Sequence, residues 1–193
     1  MSNILDNNQP NESGEPAGPT LSIEIVTDDP LPEPQWLGRI RSAVTHATAN
    51  RGFTHGEIGV RVTGDAEIRQ INARHLEHDY ETDVISFAYA AESPWIEGEL
   101  VVSLETAQRI AERVGWSAEN ELLLYVVHGT LHITGMDDLE DEQRQEMRNT
   151  EVEVMKSLGI NDIVHYGADT IDVNSSSSPS LPPETSLPPE TQS

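Results

Sequence analysis

Leu21-Ser22-Ile23-Glu24-Ile25-Val26 alternates apolar and polar positions with a period of two, the pattern of a strand with one buried face. A longer period follows. Trp36, Leu37, Ile40, Val44 and Ala47 recur at helical steps and predict a helix whose apolar stripe runs out near Gly52. Ile58-Gly59-Val60-Arg61-Val62 returns to alternation and predicts a second strand. Asp65 stands where a helix cap belongs, ahead of Ile68, Ile71, His75 and Leu76. Two further strands are predicted over residues 84–87 and 100–102, joined by an irregular loop through Ser93-Pro94-Trp95.

Helices dominate the remainder. Ser103 is placed to cap a helix carrying Ala107, Ile110, Ala111 and Val114, and Ser117 to cap the next. In that next helix residues 122–127 are apolar on nearly every side, which predicts a central, buried position. The last helix, roughly residues 141–158, carries Met147, Val154 and Leu158 on one stripe and stops at Gly159. Four strands with interleaved helices predict an α+β single domain, built on a mixed sheet of about four strands.

That domain is expected over residues 20–166. Residues 1–19 are polar, rich in Gly and Pro and lack periodicity, so they are expected to be disordered. Residues 167–193 form a Ser/Pro-rich tail with a tandem Ser-Leu-Pro-Pro-Glu-Thr, a linker-like composition that is likewise expected to be disordered.

Within the buried helix lies His128-Gly129-Thr130-Leu131-His132-Ile133-Thr134-Gly135-Met136-Asp137-Asp138. Histidines four apart share a helix face, so both imidazoles reach one ion. Gly135 is suited to a left-handed helix end, after which the chain reverses and brings an aspartate back. Two helix ligands and one from the following turn make a three-ligand site with a position left for water. On spacing alone, Asp137 and Asp138 compete for the third place. The chain has no cysteine, so a metal must use His and carboxylate, a set that suits zinc and also accepts manganese or iron. Peptidases of this spacing carry a general-base Glu directly after the first histidine. Here that residue is Gly129, which argues against proteolysis.

Charge narrows the partners. The chain has 11 Lys+Arg against 34 Asp+Glu, a net charge of −23. Between residues 20 and 166 there are 27 acids and 11 bases, or 11 − 27 = −16. Tight binding of naked nucleic acid by phosphate neutralisation is therefore not expected, and no DNA partner is predicted. No apolar run approaches the roughly 20 residues of a membrane span, and no signal-peptide pattern opens the chain. A soluble cytoplasmic protein is the expectation.

The metal motif resembles the H-G-x-L-H-x-x-G-x-D-H signature of the YbeY family of rRNA-maturation endoribonucleases. Asn72 through Phe87 resembles that family's N-x-x-(Y/H)…T-D-V-(L/I)-S-F block, and Gly98 through Ser103 its G-(D/E)-I-x-I-S block. Met147 and Glu151 match its M-x-x-x-E spacing. The resemblance implies a metal site of His128, His132 and Asp138 binding one zinc ion per chain, with manganese or iron as alternatives. It implies a single-strand-specific endoribonuclease in 16S rRNA 3′-end maturation and ribosome quality control, with rRNA and the small ribosomal subunit or its proteins as partners. The alternative is a ribosome-associated binding factor whose metal site is structural.

Three departures stand out. The family's third histidine is Asp138, its common proline before Thr82-Asp83 is Glu81, and an arginine found in many members is Leu76, with Arg74 two residues earlier. Arg74 and Asp83 are the remaining catalytic candidates. Glu151 falls on an apolar stripe, so its carboxylate needs a partner. That partner is either the free N–H of a ligand histidine or an arginine such as Arg109 or Arg113. Ser86 reads as a small inward residue, Trp95 as a plug or a base-stacking group, and His75 and His78 as surface residues.

Overall fold

The computed structural model describes residues 20–75 and 80–163. The chain runs β1 (Leu21–Thr27), α1 (Trp36–Asn50), β2 (His55–Thr63), α2 (Asp65–His75), β3 (Val84–Glu92), β4 (Trp95–Ser103), α3 (Leu104–Val114), α4 (Ala118–Ile133) and α5 (Asp141–Ser157). The expected tails lie outside the described residues, as do Leu76, His78 and the side chain of His75.

The four strands form one mixed sheet in the order β1-β2-β4-β3. β1 pairs parallel with β2 and β2 with β4, while β3 and β4 are antiparallel. Period-two alternation decides what each strand buries. Ile23, Ile58, Val60, Val62, Leu100 and Val102 point to one face, where α1 and α4 cover them. On the opposite face α2 sets Ile68 and Ile71 against Ile85 and Val101.

α4 lies at the centre of the core, packed on α1, α3, α5, β3 and β4. All of residues 122–127 are buried, as their unbroken apolar run requires. The helix approaches the sheet closely because two positions lack a side chain. A Cβ at Gly129 would stand 2.7 Å from Leu100 Cδ2 and 2.8 Å from Val84 Cγ2, and one at Gly98 would stand 2.6 Å from Ile133 Cγ2. Ser86, half-buried, also faces Gly129 and is small for that reason.

Several expectations need correction. Residues 84–103 are not two short strands on an irregular loop. They form a long hairpin turning at Ser93-Pro94, whose peptide bond is cis, with a register shift between Ala88 and Ala90. Trp95 opens β4, 39 % exposed, with Nε1 donating to Glu97. Leu37 belongs to the helical period of α1 but faces solvent. Asp65 is the first residue of α2, and its carboxylate turns towards α3. There Oδ1 accepts from Ser103 Oγ at 2.5 Å and Thr106 Oγ1 at 2.6 Å, and Arg109 lies 3.4 Å from Oδ2. The cap predictions for Ser103 and Ser117 agree with the structure: each hydroxyl accepts from the backbone N–H three residues on. No helix among the described residues is long and apolar enough to cross a membrane.

Candidate metal centre

α4 ends in the turn that builds the site. Gly135 takes φ +92°, its N–H donates to the His132 carbonyl, and the Met136 N–H donates to the Leu131 carbonyl. This six-to-one, five-to-two pair of bonds closes the helix and sends the chain back across its own last turn. Met136 is thereby buried and Asp138 returns to the histidines.

His128, His132 and Asp138 each offer a ligand atom, and these atoms lie within 4.8 Å of one another. The two Nε2 atoms are 3.0 Å apart, and the rings stand nearly perpendicular at 86°. Asp138 places Oδ2 3.8 Å from His128 Nε2 and Oδ1 3.8 Å from His132 Nε2. Asp137 is exposed and its Oδ1 accepts the Asp138 N–H, so its side chain serves the turn.

The second nitrogens decide which way the lone pairs point. His132 Nδ1 lies 3.0 Å from the Met136 carbonyl oxygen. A carbonyl only accepts, so the proton sits on Nδ1 and the neutral ring turns a bare Nε2 to the site. His128 Nδ1 lies 2.6 Å from Glu151 Oε1, and Glu151 is 4 % exposed. Its buried carboxylate therefore meets the ligand histidine, while Arg109 pairs with Asp65. Two nitrogen lone pairs at 3.0 Å need a positive charge between them, either a proton or a metal ion. A tetrahedral ion about 2.0–2.1 Å from each nitrogen would separate them by roughly 3.3 Å, within a few tenths of the observed spacing. The donor set fits a divalent cation. Burial opposes charging His128, but the Glu151 hydrogen bond and the charges of Glu151, Asp83 and Asp138 outweigh it, so its pKa lies above the ordinary value.

The site opens into a cavity of about 490 Å³. Asp83 stands in its wall, with Oδ1 held by the Val84 N–H and the Thr82 hydroxyl, both at 2.9 Å. Tyr125 also lines it, and burial followed by the nearby Glu121 and Asp83 keeps its phenol protonated. Three arginines share the wall: Arg109, Arg144 and Arg148. Sequence reasoning passed over the last two, although Arg144, Arg148 and Glu151 are spaced for one helix face. Arg74 is placed elsewhere. It donates to Gln70 and lines a groove with Phe87 and Tyr89.

The model of the family described as endoribonuclease YbeY matches residues 22–159. The chain belongs to the YbeY family. Its match covers every described strand and helix but the first residue of β1, and includes the three metal-capable residues. Endoribonuclease YbeY of Rhodopirellula baltica is 45 % identical over 152 residues, covering 72 % of this chain and 78 % of that protein. The YbeY of Gloeobacter violaceus is 33 % identical, with 75 % and 77 % covered. Among solved structures, that of TM1509 from Thermotoga maritima superposes with a TM-score of 0.51 at 22 % identity, covering 70 % of this chain and 90 % of that one. That likeness concerns the fold.

Proposed function

We propose that this chain is a metal-dependent endoribonuclease that cuts single-stranded RNA in the 3′-end maturation of 16S rRNA and in ribosome quality control. One observation carries the reading: two histidines with fixed tautomers and a carboxylate converge at the wall of a cavity that also holds arginines. Three protein groups leave a coordination position for a reactant, which favours an enzyme over a binding factor with a closed structural site.

His128, His132 and Asp138 hold the ion, and zinc is the proposed occupant, with manganese or iron compatible with the donors. When bound, such an ion supplies Lewis acidity towards water and phosphoryl oxygen. The chain's own groups do the rest. Glu151 and the Met136 carbonyl lock the two rings with Nε2 inward. Arginines in the wall bind phosphate oxygens, and Asp83 is the candidate to hold the proton released by the attacking group. rRNA on the small ribosomal subunit is the proposed substrate, since a protein this acidic gains little from bare electrostatic attraction to RNA.

The test pairs metal content of the purified protein with cleavage of precursor 16S rRNA, free and within small-subunit particles. Stoichiometric metal with metal-dependent cleavage supports the reading. Stoichiometric metal with binding to the particle and no cleavage would replace it by the binding factor.

A further inference from the structure

The cavity beside the histidines is not a generally basic surface. The described acids far outnumber the bases, and Asp83, Glu121, Asp138 and Glu151 stand in its wall. Any hold on a polyanion must therefore be local. Of the three arginines there, Arg109 belongs to α3 and reaches the Asp65 carboxylate at the start of α2. The other two belong to α5.

Arg144 and Arg148 are one helical turn apart, so their Cα atoms are separated by about 6 Å along the axis. That step is comparable to the advance from one phosphate to the next in an RNA strand. Glu151 lies three residues beyond Arg148 and is the carboxylate that orients His128. One face of α5 thus carries both the group that sets a metal ligand and two guanidinium groups. The Arg144 side chain is guided by the turn that delivers Asp138: Nη2 donates to the Leu139 carbonyl at 2.9 Å, and Nη1 to Asp141 at 2.6 Å. Asp141 is 98 % exposed, so water screens that pair and a phosphate can displace it.

We infer that Arg144 and Arg148 form a two-phosphate clamp on α5 that lays a single RNA strand along the cavity, with one phosphodiester beside His128, His132 and Asp138. This rests on the endoribonuclease reading for the identity of the polyanion, and on the α5 geometry for the residues. The guanidinium fork suits bidentate contact with phosphate oxygens, so lysine should replace it only in part.

The experiment is equilibrium binding of a short single-stranded oligoribonucleotide to the metal-loaded full chain, at several salt concentrations. Wild type is compared with Arg144→Ala, Arg148→Ala, the double change, and Arg148→Lys. Metal content and thermal midpoint are recorded for each variant. Two or three neutralised phosphates give the wild type a log–log salt slope of about −1.4 to −2.1. The double variant is expected to lose about 1.4 of that slope and at least tenfold in affinity at low salt, with its metal retained. Arg148→Lys should fall between wild type and Arg148→Ala, which leaves the Arg144 contact to Leu139 untouched. Equal affinity and slope in wild type and double variant would overturn the clamp, and cleavage by both would leave the nuclease reading standing. No binding by wild type even at low salt would also overturn it. Precursor cleavage by the same preparation then shows separately whether the nuclease reading fails too.

Discussion

Removing the Glu151 carboxylate should weaken metal binding without unfolding the protein. Its Oε1 lies 2.6 Å from His128 Nδ1, a short contact between a buried carboxylate and an imidazole N–H. It contributes in two ways: it holds the proton on Nδ1, so that Nε2 faces the site, and its charge raises the ring's basicity. Losing such a partner costs a metal site about 10–100-fold in affinity, equivalent to about 1.4–2.8 kcal/mol. Glu151→Ala should reach that range, whereas Glu151→Gln keeps an acceptor and should lose less. The pH dependence has a definite sign. Burial opposes charging His128, but the Glu151 hydrogen bond and charge outweigh it and raise its pKa, so in the wild type a proton competes with the metal increasingly as pH falls. The variants lower that pKa and relieve the competition. Their deficit should therefore be larger at about pH 8 than at about pH 6. Chelator competition across that range measures it, with the thermal midpoint of metal-free protein as a control on folding. Affinities within twofold at pH 8, or a deficit that grows on acidification, would refute the reasoning.

The double change His128→Ala and His132→Ala should abolish stoichiometric metal by plasma emission. Asp138→Ala should cost far more metal than Asp137→Ala, whose carboxylate serves the turn, and Asp138→His should keep the ion and favour zinc over harder ions. Gly129→Ala should destabilise by about 1–3 kcal/mol through overpacking, reduced by up to about 1 kcal/mol of helix propensity. Denaturant unfolding reads this, and a neutral result would mean that α4 rides higher on the sheet. Asp65→Asn should cost about 1–3 kcal/mol at neutral pH. Although burial opposes it, hydrogen bonds from Ser103 and Thr106 and the Arg109 charge hold the Asp65 pKa below its ordinary value. The contribution is therefore present above about pH 4 and disappears as pH falls through the folded-state value, so wild type and variant should converge in acid.

Identity and order of the elements were largely legible because their signals are local. Ser103 and Ser117 cap the N–H groups three residues ahead, Gly135 and Gly159 take the left-handed turns that end helices, and an unbroken apolar run marks α4 as central. The histidine spacing points to one ion for the same reason, since i and i+4 share a face in any helix. Less was legible where a residue's partner is remote. Asp65 has the composition of a cap, yet its carboxylate reaches α3, 38 to 44 residues along the chain. Asp137 and Asp138 are indistinguishable by composition, and resemblance rather than spacing separated them.

The sequence by itself therefore determined periodicities, caps, breaks and the pair of histidines, all interactions spanning a few residues. Only the tertiary structure decided the strand order β1-β2-β4-β3, the pairing of Glu151 with His128 and the gathering of Arg144 and Arg148 at the metal cavity. It also gave Gly129 its reason, as the place where a helix rests against Leu100 and Val84. Such contacts join segments whose meeting depends on how every intervening element packs, and no short window of the chain carries that information.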